Sequence, residues 1–283
     1  MSDAQILPTH DWNGDSGDRW AANLERLDIM LKDFGHAAIT AADAQPGEHI
    51  LDIGCGSGTS TFVLAEQVGT QGYALGVDIS EQLVAVASAA TPDARPVEFR
   101  CADAATAPLP AQEFDLLFSR FGVMFFDDPV AAFTHMRGAL KLGGRLAFVC
   151  WRGAQENDWV RLPMAAIRDI VQPVPADPNA PGPFAFGDRE RLANILAAAG
   201  FTAIEITPFD TVISYGHGDT RDAAVDDALE MAFQVGPLSR ALADQPDDVR
   251  AKAASAVRAA FAKRPGETSV QIDGAAWIVT ARN

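Results

Sequence analysis

Apolar positions recur at helical spacing from Trp20 through Leu24, Leu27, Met30, Leu31 and Phe34, directly after the turn-forming stretch NGDSGD. One amphipathic helix is therefore expected ahead of the first strand. The period then changes. HILDIGC, from His49, is apolar at nearly consecutive positions, with Pro46-Gly47 before it and glycine after it, as a parallel strand covered on both faces would be. TSTFVLAEQVG reads as a helix ending at Gly69, YALGVDIS as a second strand, EQLVAVASAA as a second helix and VEFRCADA as a third strand. FDLLFSRF follows as a strand, a helix is predicted through PVAAFTHMRGALKLGG, and RLAFVCW is strongly apolar again. This alternation of strand and helix predicts an α/β fold with a doubly wound parallel sheet.

After Trp151 the rhythm breaks. ENDWVRLPMAAIRDI predicts a short helix, and VQPVPADPNAPGPFAFG a proline-rich connector. DRERLANILAAAG restores the helical pattern, with Gly200 placed as a C-cap. AIEITPFDTVIS is a sixth strand, helical stretches follow near 220–234 and 247–263, and AAWIVTAR is a seventh strand.

Composition narrows the function classes. The chain has 283 residues, 48% of them hydrophobic, with 38 acidic against 22 basic side chains and a net charge of −16. No run of lysine and arginine is longer than two neighbours, so a surface that tracks phosphates is not expected and nucleic acid is not an expected partner. Cys55, Cys101 and Cys150 each fall in apolar, strand-like stretches and are expected to be buried free thiols of a reducing compartment; no zinc-like spacing is present and no metal is expected. The first residues lack a basic start and an apolar h-region, and no apolar run reaches spanning length, which predicts a cytoplasmic protein without a membrane partner.

LDIGCGSGTS, residues 51–60, carries the candidate chemistry. A dinucleotide fingerprint G-x-G-x-x-G would place its third glycine at Thr59, whereas the glycine stands one position early at Gly58. The stretch instead reads D-x-G-x-G-x-G from Asp52 to Gly58. A carboxylate here would repel a pyrophosphate and suits a ligand that carries an ammonium and a sulfonium. The second strand ends in GVDIS, where Asp78 is placed to accept from ribose hydroxyls. The third ends in CADA, where Asp103 can accept from an adenine amino group while Ala102 leaves room for the ring.

With LDIGCGSG, GVDIS, CADA, FDLLFSRFGVMFF and LKLGGRL in place, residues from about 48 to 152 resemble the class I S-adenosylmethionine-dependent methyltransferases, particularly the bacterial small-molecule branch related to the ubiquinone and menaquinone enzymes. The resemblance extends more weakly to WIVTAR. It implies a Rossmann-like seven-stranded sheet of order 3-2-1-4-5-7-6 with the last strand antiparallel, and S-adenosylmethionine as cofactor. It also implies site roles. The backbone of Gly54, Cys55 and Gly56 would lie against the methionine part, Asp78 on ribose, Ile79 on the adenine face and Asp103 on its amino group, with Ser119 and Arg120 facing the sulfonium through their backbone. Residues 1–45 would then be an N-terminal helical lid segment and 46–283 the methyltransferase domain, with cap insertions near 153–186 and 217–265. Leu142 stands where the family commonly has proline. SRFGVMFFDD lacks both the Arg-Asn pair of the quinone-modifying branch and the [DN]PP[YFW] signature of amide or adenine N-methylation.

Acceptor specificity is expected outside the nucleotide fold. Trp12, Arg19 and Trp20 lie in a segment that could close over the cofactor, although Trp20 also begins the apolar face of its helix. Phe121, Met124, Trp151 and Trp159 are the expected lining of the acceptor pocket, which favours a small apolar or aromatic acceptor methylated by in-line displacement. His135 is expected to be structural. His10, Tyr215 and His217, in or beside loops, form no triad or metal set, so no catalytic base is assigned. An NAD-dependent oxidoreductase, opposed by Thr59 and Asp52, and a non-catalytic S-adenosylmethionine-binding protein are the alternatives. A homodimer is left open.

Overall fold

The computed structural model describes residues 11–92, 96–172, 177 and 179–283. Its centre is a seven-stranded sheet. The strands are β1 (His49–Ile53), β2 (Tyr73–Asp78), β3 (Val97–Cys101), β4 (Phe114–Arg120), β5 (Leu140–Trp151), β6 (Thr202–His217) and β7 (Ser269–Arg282). Their order is β3-β2-β1-β4-β5-β7-β6, with β7 antiparallel to both β5 and β6 and the other pairs parallel. This is the expected sheet. The near-continuous apolar runs of β1, β2 and β4 are buried along almost their whole length, because helices cover both faces of a parallel sheet.

The covering helices start on side chains suited to the task. Ser80 caps α4 (Glu81–Ala89), Asp128 caps α5 (Pro129–Arg137) and Asp188 caps α7 (Arg189–Ala198), each accepting from a backbone N–H in the first turn. Before them α3 (Thr59–Val68) follows the glycine loop directly. Ahead of the sheet come α1 (Asp15–Ala22) and α2 (Leu24–Ala42); α2 packs on β5, β6 and β7. Its buried Phe34 meets Trp151, Phe209 and Phe121 edge to face at 5.0, 5.7 and 5.8 Å. The remaining helices, α6 (Asp158–Ile167), α8 (Arg221–Gln234), α9 (Pro237–Leu242) and α10 (Asp247–Phe261), pack on one another as a cap: α6 touches α9 and α10, and α8 touches α9, α10 and β6.

Four expectations are corrected. The single N-terminal helix is two, divided at Asn23, whose side-chain amide donates to Arg19 O and to Gln234 Oε1 at 2.8 and 2.7 Å rather than continuing an exposed helical face. The helix expected through residue 144 ends at Arg137, and Leu140–Gly144 already belongs to β5 because Leu140 pairs with Phe114. Cys101 is exposed, unlike buried Cys55 and Cys150, because it ends the strand β3 at the sheet edge. Tyr215 is not in a loop but in β6, where its side chain is buried. No helix among the described residues is long and apolar enough to cross a membrane.

Candidate active site

The carboxyl ends of β1, β2 and β4 converge on the glycine loop. Gly54 approaches the chain itself: a Cβ there would stand 2.6 Å from Gly122 Cα, just beyond β4. Gly58 does the same against the Phe99 ring, where a Cβ would lie 2.7 Å from Cζ. The close approach at these two glycines is therefore made by protein atoms. Gly56 is different, since it has a φ of +54° and nothing within 4 Å of a hypothetical Cβ, so its backbone borders open space. Ser119 ties the two strand ends together, donating to Ile53 O at 2.7 Å and accepting from Gly122 N at 3.1 Å.

The acidic side chains have different surroundings. Asp78 accepts from Gly56 N at 2.8 Å and from Ser80 N at 2.9 Å, so the tip of β2 fixes the loop above β1. Burial holds its carboxyl above the usual range despite those backbone bonds. A backbone bond from Ile79 also acts on this carboxylate, which keeps acceptor capacity for a further donor. Ile79, the next residue, exposes 43% of its surface, an apolar face beside that carboxylate. Asp103 is exposed and accepts from Ala105 N and Thr106 Oγ1, at 2.9 and 3.1 Å, closing a turn after β3; Ala102 beside it is half-buried.

Asp52 does not open onto the crevice surface as the sequence suggests, because it is fully buried. Its Oδ2 accepts from Ser60 and Thr61 hydroxyls in the first turn of α3, at 2.8 and 2.7 Å, while its Oδ1 is buried without a partner among the described residues. Burial pushes its carboxyl up to about 6, against the opposing pull of the two hydroxyls and of Arg120. The folded protein thus holds this proton more tightly than an unfolded chain with a value near 3.8. Below the lower value both states are protonated and Asp52 contributes nothing to the pH dependence. As pH rises towards 6 a penalty on the order of 2–3 kcal/mol develops. Urea unfolding of the free protein should show this fall between about pH 4 and 6, and Asp52→Asn should flatten it; an identical slope in the variant would contradict the assignment.

Arg120 extends from β4 to Asp28 of α2 at 2.7 Å, and the other oxygen of Asp28 accepts from Thr59 at 2.9 Å. The N-terminal helix is thereby bound to the start of α3. One residue on, Phe121 adopts a φ of +60°, a costly conformation for a bulky side chain. Its ring stacks on Trp151 with centroids 4.3 Å apart.

This turn opens into a cavity of about 160 Å³. Phe121, Met124, Trp151 and Trp159, the four residues expected to line an acceptor pocket, all border it, and so does Trp20 of α1. Trp12 packs edge to face between Trp20 and Phe125 at 5.7 and 5.1 Å, bringing the N-terminal segment against the turn after β4. Tyr215 and Met231 complete the buried part, and the Trp159 Nε1 is buried with no partner among the described residues. Tyr215 reaches the wall only through the long β6–β7 pairing, which no local signal announces. His135 contacts Ala107 O at 2.8 Å and does not line the cavity; His217 is exposed, and His10 lies outside the described residues. No cluster of metal-binding side chains occurs among the described residues.

The crevice fits a nucleoside: open space at Gly56, a carboxylate on Asp78 able to accept a further bond and an apolar face at Ile79. Comparison with known proteins agrees. Residues 51–148 match the family model of the Methyltransferase domain. Aklanonic acid methyltransferase DauC of a Streptomyces species is 34% identical over 134 residues, covering 46% of this chain and 61% of that protein. Demethylmenaquinone methyltransferase of Staphylococcus saprophyticus is 26% identical over 186 residues, covering 62% of this chain and 79% of that protein. The chain spans 61%, 35% and 62% of the lengths of three curated relatives it matches. Among solved structures, the YcgJ protein of Bacillus has the same fold with a TM-score of 0.58 at 17% identity, covering 88% of this chain and 97% of that one. Taken with the strand order and the glycine loop, these matches make residues 51–148 similar to the Methyltransferase domain.

Proposed function

We propose that the protein is an enzyme that transfers a methyl group to a small apolar or aromatic acceptor by in-line displacement. The observation that carries this reading is the aromatic cavity beginning at Phe121, one residue past the strand end that borders the nucleotide crevice. The relatives named for aklanonic acid and demethylmenaquinone likewise act on small organic molecules.

When bound, S-adenosylmethionine supplies a methyl group already activated on sulfur. The chain's part is then alignment and exclusion of water. In this reading Asp78 accepts from the ribose hydroxyls, Ile79 covers the adenine face and Asp103 accepts from its amino group. The backbone of Gly54, Cys55 and Gly56, with that of Ser119 and Arg120, borders the reacting end. Trp151 and Phe121, stacked on each other, hold the acceptor against one wall, while Trp20 and the N-terminal helices keep water out. No side chain in the cavity is assigned as a general base, so an acceptor that arrives ionised, or that loses its proton to solvent, suits it best.

The test is incubation of the protein with methyl-labelled S-adenosylmethionine and a panel of hydroxylated, amino and carboxylated aromatic compounds. Label is expected in an organic-extractable product from part of the panel, and Phe121→Ala should lower that transfer by ten-fold or more. Transfer confined to proteins or nucleic acids would contradict the reading.

A further inference from the structure

The cavity has an apolar interior and a cationic rim. Trp151, Tyr215 and Met231 are buried in its interior, whereas Arg19 of α1 and Arg240 of α9 border it and are both solvent-exposed, so they stand where it opens. The other polar side chains of the lining, Ser16, Gln234 and Ser239, are neutral.

Neither guanidinium has an acidic partner or donates a hydrogen bond among the described residues. The chain has 38 acidic and 22 basic side chains, yet none of the acidic ones among the described residues reaches this pair. Several other arginines are paired at short range, Arg26 with Asp227 at 2.5 Å, Arg120 with Asp28 at 2.7 Å and Arg145 with Glu48 at 2.7 Å. Although Arg240 keeps contact with solvent, its guanidinium is held below the ordinary arginine value, first by partial burial and then by the positive charge of Arg19. Two like charges thus face one opening, one from α1 and one from the cap helix α9, and their forked donors are free among the described residues. An arrangement of this kind is relieved by an anion between them, and the planar fork of arginine matches a carboxylate.

Building on the methyltransferase reading, we propose that the acceptor is a carboxylate-bearing aromatic compound whose ring system enters the cavity and whose carboxylate is held at the rim by Arg19 and Arg240. The neutral interior then selects the ring system, and the rim selects the charge. An uncharged analogue would leave both guanidiniums as they stand, crowded and without a partner.

The test uses benzoate, 2-naphthoate and 2-anthroate, each against its primary carboxamide, titrated into protein saturated with S-adenosylhomocysteine and followed by calorimetry. At least one carboxylate is expected to bind about ten-fold or more tightly than its amide. Arg19→Gln and Arg240→Gln should each remove most of that preference while leaving amide binding and the affinity for S-adenosylhomocysteine within about two-fold. Raising the salt concentration should weaken the carboxylates and spare the amides. Equal binding of acid and amide, binding of neither across the series, or a preference untouched by both substitutions would overturn the proposal. So would a large loss of S-adenosylhomocysteine affinity in the arginine variants, which would assign the pair to the cofactor's own carboxylate. Failure of the wild type to bind S-adenosylhomocysteine would overturn the methyltransferase reading instead, and the acid-to-amide ratio can still be measured without it.

Discussion

Asp78→Ala is expected to lower the affinity for S-adenosylhomocysteine by roughly 100-fold. Two effects combine. On the proposed assignment the carboxylate accepts from two ribose hydroxyls, and hydrogen bonds to a charged group contribute about 1.5–3 kcal/mol each when neither partner is left stranded. The same carboxylate also holds Gly56 N and Ser80 N, so its removal loosens the glycine of this loop whose backbone borders open space. Asp78→Asn keeps an acceptor oxygen without the charge and should fall in between, near ten-fold. Titration calorimetry separates these outcomes. An Asp78→Ala variant within three-fold of the wild type would place the nucleoside elsewhere.

Trp151→Ala should be the most destabilising single change in the cavity wall. Trp151 is 4% exposed, stacks on Phe121 and packs against Phe34 and Trp159 at 5.0 and 5.3 Å. Truncating a large buried aromatic costs about 3–5 kcal/mol, the transfer of its surface plus the void left behind. For a chain of this size that is a fall of about 6–20 °C in Tm. The strained turn at Phe121 adds to the effect, because the ring that holds its left-handed backbone in place would be gone. Trp151→Phe should recover most of the stability by restoring the stack. Differential scanning calorimetry on both variants checks this, and a loss below 1 kcal/mol in the alanine variant would mean that the wall is not rigidly packed.

The sheet was legible because its information is local. The central strands β1, β2 and β4 are short apolar runs, and Asp78 marks the end of β2 that bonds the glycine loop. The four proposed pocket residues were legible as large apolar side chains placed where the nucleotide fold did not require them. What stayed hidden depends on partners distant in sequence. The break at Asn23 requires Gln234, and the start of β5 at Leu140 requires pairing with Phe114 across a stretch that otherwise reads as a helix and its cap. Helix α9, a six-residue element, is too short to show a period. Arg19 lies in α1 and Arg240 in α9, far apart in sequence, so only folding brings their charges to one opening. Asp52 was expected to serve the ligand, whereas its burial under α3 follows from Ser60 and Thr61, which read simply as helix residues.

The central claim, that this crevice holds S-adenosylmethionine and not a dinucleotide, is tested most directly by thermal unfolding of the wild-type protein with S-adenosylhomocysteine and, separately, with NAD. At about 100 times its dissociation constant a ligand adds roughly 2.7 kcal/mol to the native state, a rise of several degrees in Tm. The account predicts that rise with S-adenosylhomocysteine and none with NAD. A rise with NAD alone, or with neither, would contradict it.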